Sequence, residues 1–223
     1  MRLFLIRHAQ SANNALPECQ RVEDPAITEI GHQQAQALAE SLVSAKLTRI
    51  ITSPFRRSLQ TADYIARLLM LAPEVWIDLH EQGGCYSGHQ PGCYEGRPGM
   101  TRLEINAEFP QYIVESAIDG QGWWKCQTYE NEDLARKRAQ RLIRRTIATF
   151  GDTNECIAYV MHGDFKRIFL NEMFSDSALT WSSNGHTVVL YNTGVTQVIG
   201  REGRFHVEAL NDVGHLRDDI RTS

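Results

Sequence analysis

Two stretches anchor the reading: RLFLIRH at residues 2–8 and IITSPFRR at residues 50–57. In each, a short apolar run ends abruptly in polar and charged residues. Continuous apolar runs of this length suit strands buried on both faces of a parallel sheet. The first predicts a central strand over 2–6 that delivers Arg7 and His8 at its C-terminal end. The second predicts a strand over 48–52, then a helix capped by Ser53 with Pro54 at its first position. CIAYVM at 156–161 repeats the pattern and ends on His162-Gly163.

Between these runs the hydrophobic period becomes helical. Thr28 caps a helix expected over 29–45, with Ile30, Ala35, Leu38, Leu42 and Val43 on one side. The helix after Ser53 should reach about Leu71 and stop before Pro73. EVWIDL at 74–79 reads as a third strand. Asn131 caps a long helix to about Phe150, and another is expected from Gly163 to about Phe174. HTVVLYN (186–192), GVTQVI (194–199) and RFHVE (204–208) suggest an antiparallel edge.

From Gln82 to about Glu130 the alternation breaks, in a stretch rich in Gly, aromatics and Cys that holds Pro91, Pro98 and Pro110. A structureless loop of that length does not fit a compact domain. A partly helical cap over one end of the sheet is expected, with a helix near 101–118. The chain as a whole predicts a three-layer α/β/α sandwich of class α/β: a mostly parallel central sheet with an antiparallel edge and a helical cap insertion, in one domain over residues 1–223.

The 223 residues are 42% hydrophobic and 22% charged, with a formal net charge of −4, a globular composition. An acidic balance argues against a nucleic-acid partner. The basic run Arg136 to Arg145 alternates with apolar residues and reads as a solvated helix face. No apolar run matches a secretory signal or a membrane span, and five cysteines without C-x-x-C spacing fit a reduced, cytoplasmic setting. His32, His89, His186, His206 and His215 lack metal-ligand spacing.

Ligands of open α/β sheets bind beyond the C-terminal strand ends. There this sequence places Arg7 and His8, then Ser53 with Arg56 and Arg57, then His80-Glu81, then His162-Gly163. Arginine grips phosphate oxygens in pairs and stays charged. A neutral imidazole has one lone pair for attack, so it can form a covalent phospho-enzyme. A carboxylic acid can protonate the leaving oxygen and then activate water. The set points to phosphoryl chemistry.

RHAQSANN at 7–14 resembles the R-H-G-[EQ]-[ST]-x-x-N motif of the histidine phosphatase superfamily, also called the phosphoglycerate mutase-like family. DPAITEIGHQQA, ITSPFRRSLQTA, MHG at 161–163 and NDVGHL resemble its other elements. The resemblance implies His8 as nucleophile and Arg7, Arg57 and His162 as phosphoryl ligands, with His162 cationic. It implies Asn14 and Ser11 as phosphate donors, and Glu81 as general acid and base. Glu95 and Asp164 are competing carboxylates. The implied reaction is hydrolysis of a small phosphorylated metabolite, with no metal or organic cofactor.

Ala9 stands where the family usually has Gly, which is tolerable if the backbone there has ordinary φ. No E-R-H-Y-G element is present, which favours a phosphatase over a phosphoglycerate mutase-type phosphotransferase. A non-catalytic binding domain on the same fold is the other alternative. Adjacent helical residues diverge by about 100°, so Arg56 should face solvent or an ion pair while Arg57 faces the site. Trp123-Trp124 reads as packing of the insertion. Arg97, Arg102, Lys125 and Tyr86 are candidates for contacting the rest of the substrate.

Overall fold

In the computed structural model the described residues are 1–174, 189–201 and 204–223. Seven strands form one sheet: β1 (Arg2–Arg7), β2 (Arg49–Thr52), β3 (Glu74–Val75), β4 (Ile113–Val114), β5 (Cys156–Met161), β6 (Val195–Arg201) and β7 (Arg204–Asp212). Their order is β4-β3-β2-β5-β1-β6-β7. Pairing is parallel from β4 through β1, and antiparallel at β6 and β7.

Side chains alternate across β1, and both faces are covered. Phe4 and Ile6 pack with Leu38 of α1 (Glu29–Ser41), Leu42 just beyond it, and Leu59 and Ile65 of α2 (Arg56–Leu69). Leu3 and Leu5 pack with Ala139, Leu142, Phe165 and Phe169 on the opposite face. The elements there are α4 (Glu132–Phe150) and α5 (Gly163–Met173). This is the three-layer sandwich its buried strands require.

Several boundaries differ from the sequence reading. α1 ends at Ser41, and residues 43–45 continue as a 3₁₀ turn. The helix expected to be capped by Ser53 starts at Arg56, with Phe55 at the cap, so Ser53 is released for another role. The third strand stops at Val75 and continues as a 3₁₀ turn over Ile77–Leu79. Of the segment expected as a strand over 186–192, residues 186–188 lie outside the described residues. Residues 189–192 form no strand.

The insertion is only partly helical. It holds α3 (Arg102–Glu108), a small hairpin of Tyr86–Ser87 with Glu95–Gly96, and β4, which extends the main sheet. Trp123 and Trp124 are buried with Ile105, Phe109 and Met100 in the core shared with α2. Gly84, at φ +77°, lies flat against Trp124; a Cβ there would sit 2.3 Å from the indole. No helix among the described residues is long and apolar enough to cross a membrane.

Candidate active site

Three neighbouring strands, β2, β5 and β1, end side by side and place Ser53, His162 and His8 together. His8 is buried, and its Nδ1 lies 2.7 Å from the Ala9 carbonyl. A carbonyl oxygen only accepts, so Nδ1 carries the proton. Nε2 in turn accepts from Arg57 Nε at 3.1 Å. Both contacts select one tautomer, with its lone pair on Nε2. Burial and the two guanidinium groups of Arg57 and Arg7 hold the ring well below the usual histidine range, so it is neutral. Ala9 has no positive φ, and its amide donates to Thr61 Oγ1 at 3.0 Å.

Arg57 is buried with its guanidinium 4.0 Å above the Phe55 ring, and Nη1 lies 3.9 Å from Asp24. Arg56, one position earlier, points away and pairs with Glu108 at 2.5 Å, as the helical geometry requires. Arg7 donates to the Leu190 carbonyl, while its Nε is buried without a partner. A Cβ on Gly163 would sit 3.3 Å from that Nε, so the glycine leaves room for the guanidinium at the start of α5.

The second histidine departs from expectation. His162 lies 5.0 Å from His8 between ring centroids, yet it is fully buried behind it. Burial, Arg57 and the other histidines keep it well below the usual range, so it is neutral, not cationic. Its Nε2 meets Ser53 Oγ at 2.7 Å and Ser58 Oγ at 3.4 Å, and its Nδ1 is buried without a partner. Ser53, read as a helix cap, instead holds the His162 ring.

Glu81 closes the other side. Its Oε1 accepts from the amide of Phe165, on the first turn of α5, at 2.8 Å and from that of Gln82, the next residue, at 2.9 Å. Burial, with Asp164 nearby, raises its carboxyl to about 7. Of the competing carboxylates, Glu95 sits on the hairpin paired with Arg97 at 3.0 Å, whereas Asp164 lines the same cavity as Glu81. That cavity, about 500 Å³, is lined by Arg7, His8, Ser11, Asn14, Arg57 and Glu81 among others. Asn14 spends its Oδ1 on the Ser11 amide and hydroxyl, both at 3.0 Å, which leaves its NH₂ as the donor.

Arg138 belongs to the run read as a solvated helix face, and it is not solvated: it is 1% exposed. The carboxylate that draws it inside is Glu130, which the sequence pattern does not link to it. Arg138 forks onto Glu130 at 2.9 and 2.5 Å, donates to the carbonyls of Asp78 and His80 at 2.8 and 2.9 Å, and stacks 3.7 Å from the Phe165 ring. It thus ties together the residue before Glu81, the end of the insertion and the α5 turn that binds Glu81. Breaking a buried ion pair by removing one partner costs about 3–5 kcal/mol. Glu130→Ala should lose about that much, read as a lower urea midpoint with an unchanged slope.

Sequence reasoning also missed Asn192, whose Nδ2 donates to the His8 carbonyl at 3.0 Å, and Thr193, whose amide donates to the Arg7 carbonyl at 3.1 Å. The Asn192-Thr193-Gly194 run is a turn signal at the junction of the two segments read as strands, 186–192 and 194–199.

A family described as the histidine phosphatase superfamily (branch 1) matches residues 3–213. A probable phosphatase of Schizosaccharomyces pombe is 23% identical over 98% of this chain and 97% of its own length. A probable phosphoglycerate mutase, GpmB, of Photorhabdus laumondii is 37% identical over 68 residues, 30% of this chain and 32% of its own. Among solved structures, a phosphoserine phosphatase mutant of Entamoeba histolytica in complex with phosphoserine superposes with a TM-score of 0.66. It is 23% identical and covers 97% of this chain and 99% of its own.

Proposed function

The chain belongs to the histidine phosphatase superfamily, branch 1, and from that premise we propose that it hydrolyses a small-molecule phosphomonoester through a phosphohistidine on His8. The observation that carries this reading is the His8 tautomer. Nδ1–H is held by a backbone carbonyl, and the Nε2 lone pair is turned to Arg57.

Arg57 exchanges its bond to Nε2 for oxygens of the incoming phosphoryl group, which Arg7 and the Asn14 amide also hold. The Ser11 hydroxyl lies at the same wall of the cavity. His162 Nδ1, buried and unpartnered, gains a partner if a phosphoryl oxygen reaches it, relieving a cost of about 1–3 kcal/mol. Nε2 attacks phosphorus as the bond to the leaving oxygen breaks, and Glu81 gives that oxygen its proton. Water then attacks the phosphohistidine and gives a proton to Glu81. The N–P bond breaks, returning the lone pair to Nε2, and inorganic phosphate leaves. Charge spread over the equatorial oxygens is met by fixed guanidinium groups. Five unpaired cysteines accord with a cytoplasmic setting.

The partial likeness to a phosphoglycerate mutase keeps phosphotransfer as the reading to test against. The enzyme is incubated with p-nitrophenyl phosphate and, separately, with 3-phosphoglycerate. Release of inorganic phosphate from either is the expected result. Accumulation of 2-phosphoglycerate without phosphate release assigns a mutase. No turnover of either, nor of a wider phosphomonoester panel, would leave a binding domain.

A further inference from the structure

The four substrate contacts suggested by the sequence resolve unevenly. Arg97 pairs with Glu95 and Ser87, and Lys125 pairs with Asp119 at 2.6 Å. Arg102 donates to the carbonyls of Ile118, Val114 and Glu115, clipping α3 to the sheet edge. All three are used structurally, and only Tyr86 lines the cavity.

Two other cations do line it: Arg21, from the loop before α1, and Arg167, from the second turn of α5. Among the described residues neither side chain makes an ion pair or a hydrogen bond, although most arginines of this chain do. The cavity thus carries four guanidinium groups. Its side-chain carboxylates are Asp164 and Glu81, burial favouring the acid form of Glu81, and the terminal residue Ser223 also lines it. A phosphomonoester dianion is matched by Arg7 and Arg57. About 500 Å³ also leaves room for much more than a phosphoryl group.

We propose that Arg21 and Arg167 form a second anion subsite, so that the preferred substrate is a phosphomonoester bearing another anionic group, a carboxylate or a second phosphate. This rests on the phosphatase reading above. Arg21 also borders the adjoining recess, which Tyr86 lines as well. Unpaired guanidinium groups facing a cavity bind carboxylate and phosphate alike through forked bonds.

The test compares matched substrates within one enzyme, so that general losses of activity cancel. 3-Phosphoglycerate and glycerol 3-phosphate differ by a carboxylate in place of a hydroxymethyl group. Wild type should favour the former in kcat/KM by at least about tenfold, the size of one charge-assisted hydrogen bond. In Arg21→Gln/Arg167→Gln the ratio should fall to about one. A preference for fructose 1,6-bisphosphate over fructose 6-phosphate that collapses in the same variant supports the subsite and assigns the second anion as phosphate. p-Nitrophenyl phosphate, which has no second anion, separates two failures. If wild type hydrolyses it but shows neither preference, the subsite is refuted and the phosphatase reading stands. If it hydrolyses no phosphomonoester at all, the phosphatase reading fails first. Preferences that survive in the double variant also overturn the subsite.

Discussion

His8→Ala should lower kcat by at least about 10⁴-fold, to the level of whatever the bare phosphate-binding groups can do. The reason is geometric: among the described residues lining the cavity, only His8 presents a neutral nitrogen lone pair to the Arg57 guanidinium. His162 is buried behind His8, with Nε2 held by Ser53 and Ser58. Cys85 is buried and its thiol is pushed up to about 12, so it supplies no thiolate. The Ser11 hydroxyl is bonded to an amide oxygen, Asn14 Oδ1, which is no base. Steady-state turnover of p-nitrophenyl phosphate measures the effect, with far-UV circular dichroism showing the fold intact. Burial and the neighbouring guanidinium groups hold the imidazole neutral and well below its usual range, so its own titration should not shape the activity profile around neutral pH. A variant retaining a tenth of the wild-type rate contradicts the account.

The second large effect is at Glu81. Replacing it with Gln removes both the proton donor and the base, and such groups contribute about 10²–10⁴-fold. The loss should depend on the leaving group. An alkyl phosphate needs a proton on its departing oxygen and should show the full loss in kcat/KM. p-Nitrophenolate leaves unaided, so its kcat/KM should fall by less than about tenfold while hydrolysis of the phospho-enzyme slows. In wild type, with the carboxyl near 7, kcat/KM for an alkyl phosphate should decline as pH rises through 7, because the acid form disappears.

The same carboxyl has a stability signature of fixed sign. Its folded value, about 7, lies above the ordinary 4.5, so the folded state holds the proton more tightly than the unfolded chain. That contribution is fully present below about 4.5 and is lost as pH rises through about 7. Glu81→Gln should therefore gain melting temperature relative to wild type at pH 8 and much less at pH 4.5. A gain of equal size at both, or an alkyl phosphate profile flat from pH 6 to 9, speaks against a buried, titrating Glu81.

The sheet was readable because its strands are buried on both faces. Leu3 to Ile6 and Cys156 to Met161 admit no polar residue, and each ends where the sheet does. His8 and Arg57 could be placed together because β1 and β2 deliver them to one rim, whereas Glu81 reaches that rim past a 3₁₀ turn, six residues beyond the end of β3. What escaped the sequence depends on contacts distant along the chain. Ser53 looks like a cap because Ser-Pro usually is one, but His162, 109 residues away, engages its hydroxyl instead. Arg138 sits in a periodic basic run, and only Glu130 together with the backbone carbonyls of Asp78 and His80 draws it inside. Asn192 lies in a segment whose β-branched residues suggest a strand. Arg21 and Arg167 carry no local signal, since whether an arginine is paired is a property of the folded neighbourhood.

Rapid mixing with phosphate-labelled substrate, followed by denaturing quench and peptide mapping, addresses the covalent step itself. The label should be found on the peptide containing His8, stable to base and lost in mild acid as expected of a phosphoramidate, and it should accumulate further in Glu81→Gln. Label on any other residue, or turnover with no labelled protein at any mixing time in either enzyme, would contradict attack by His8 Nε2.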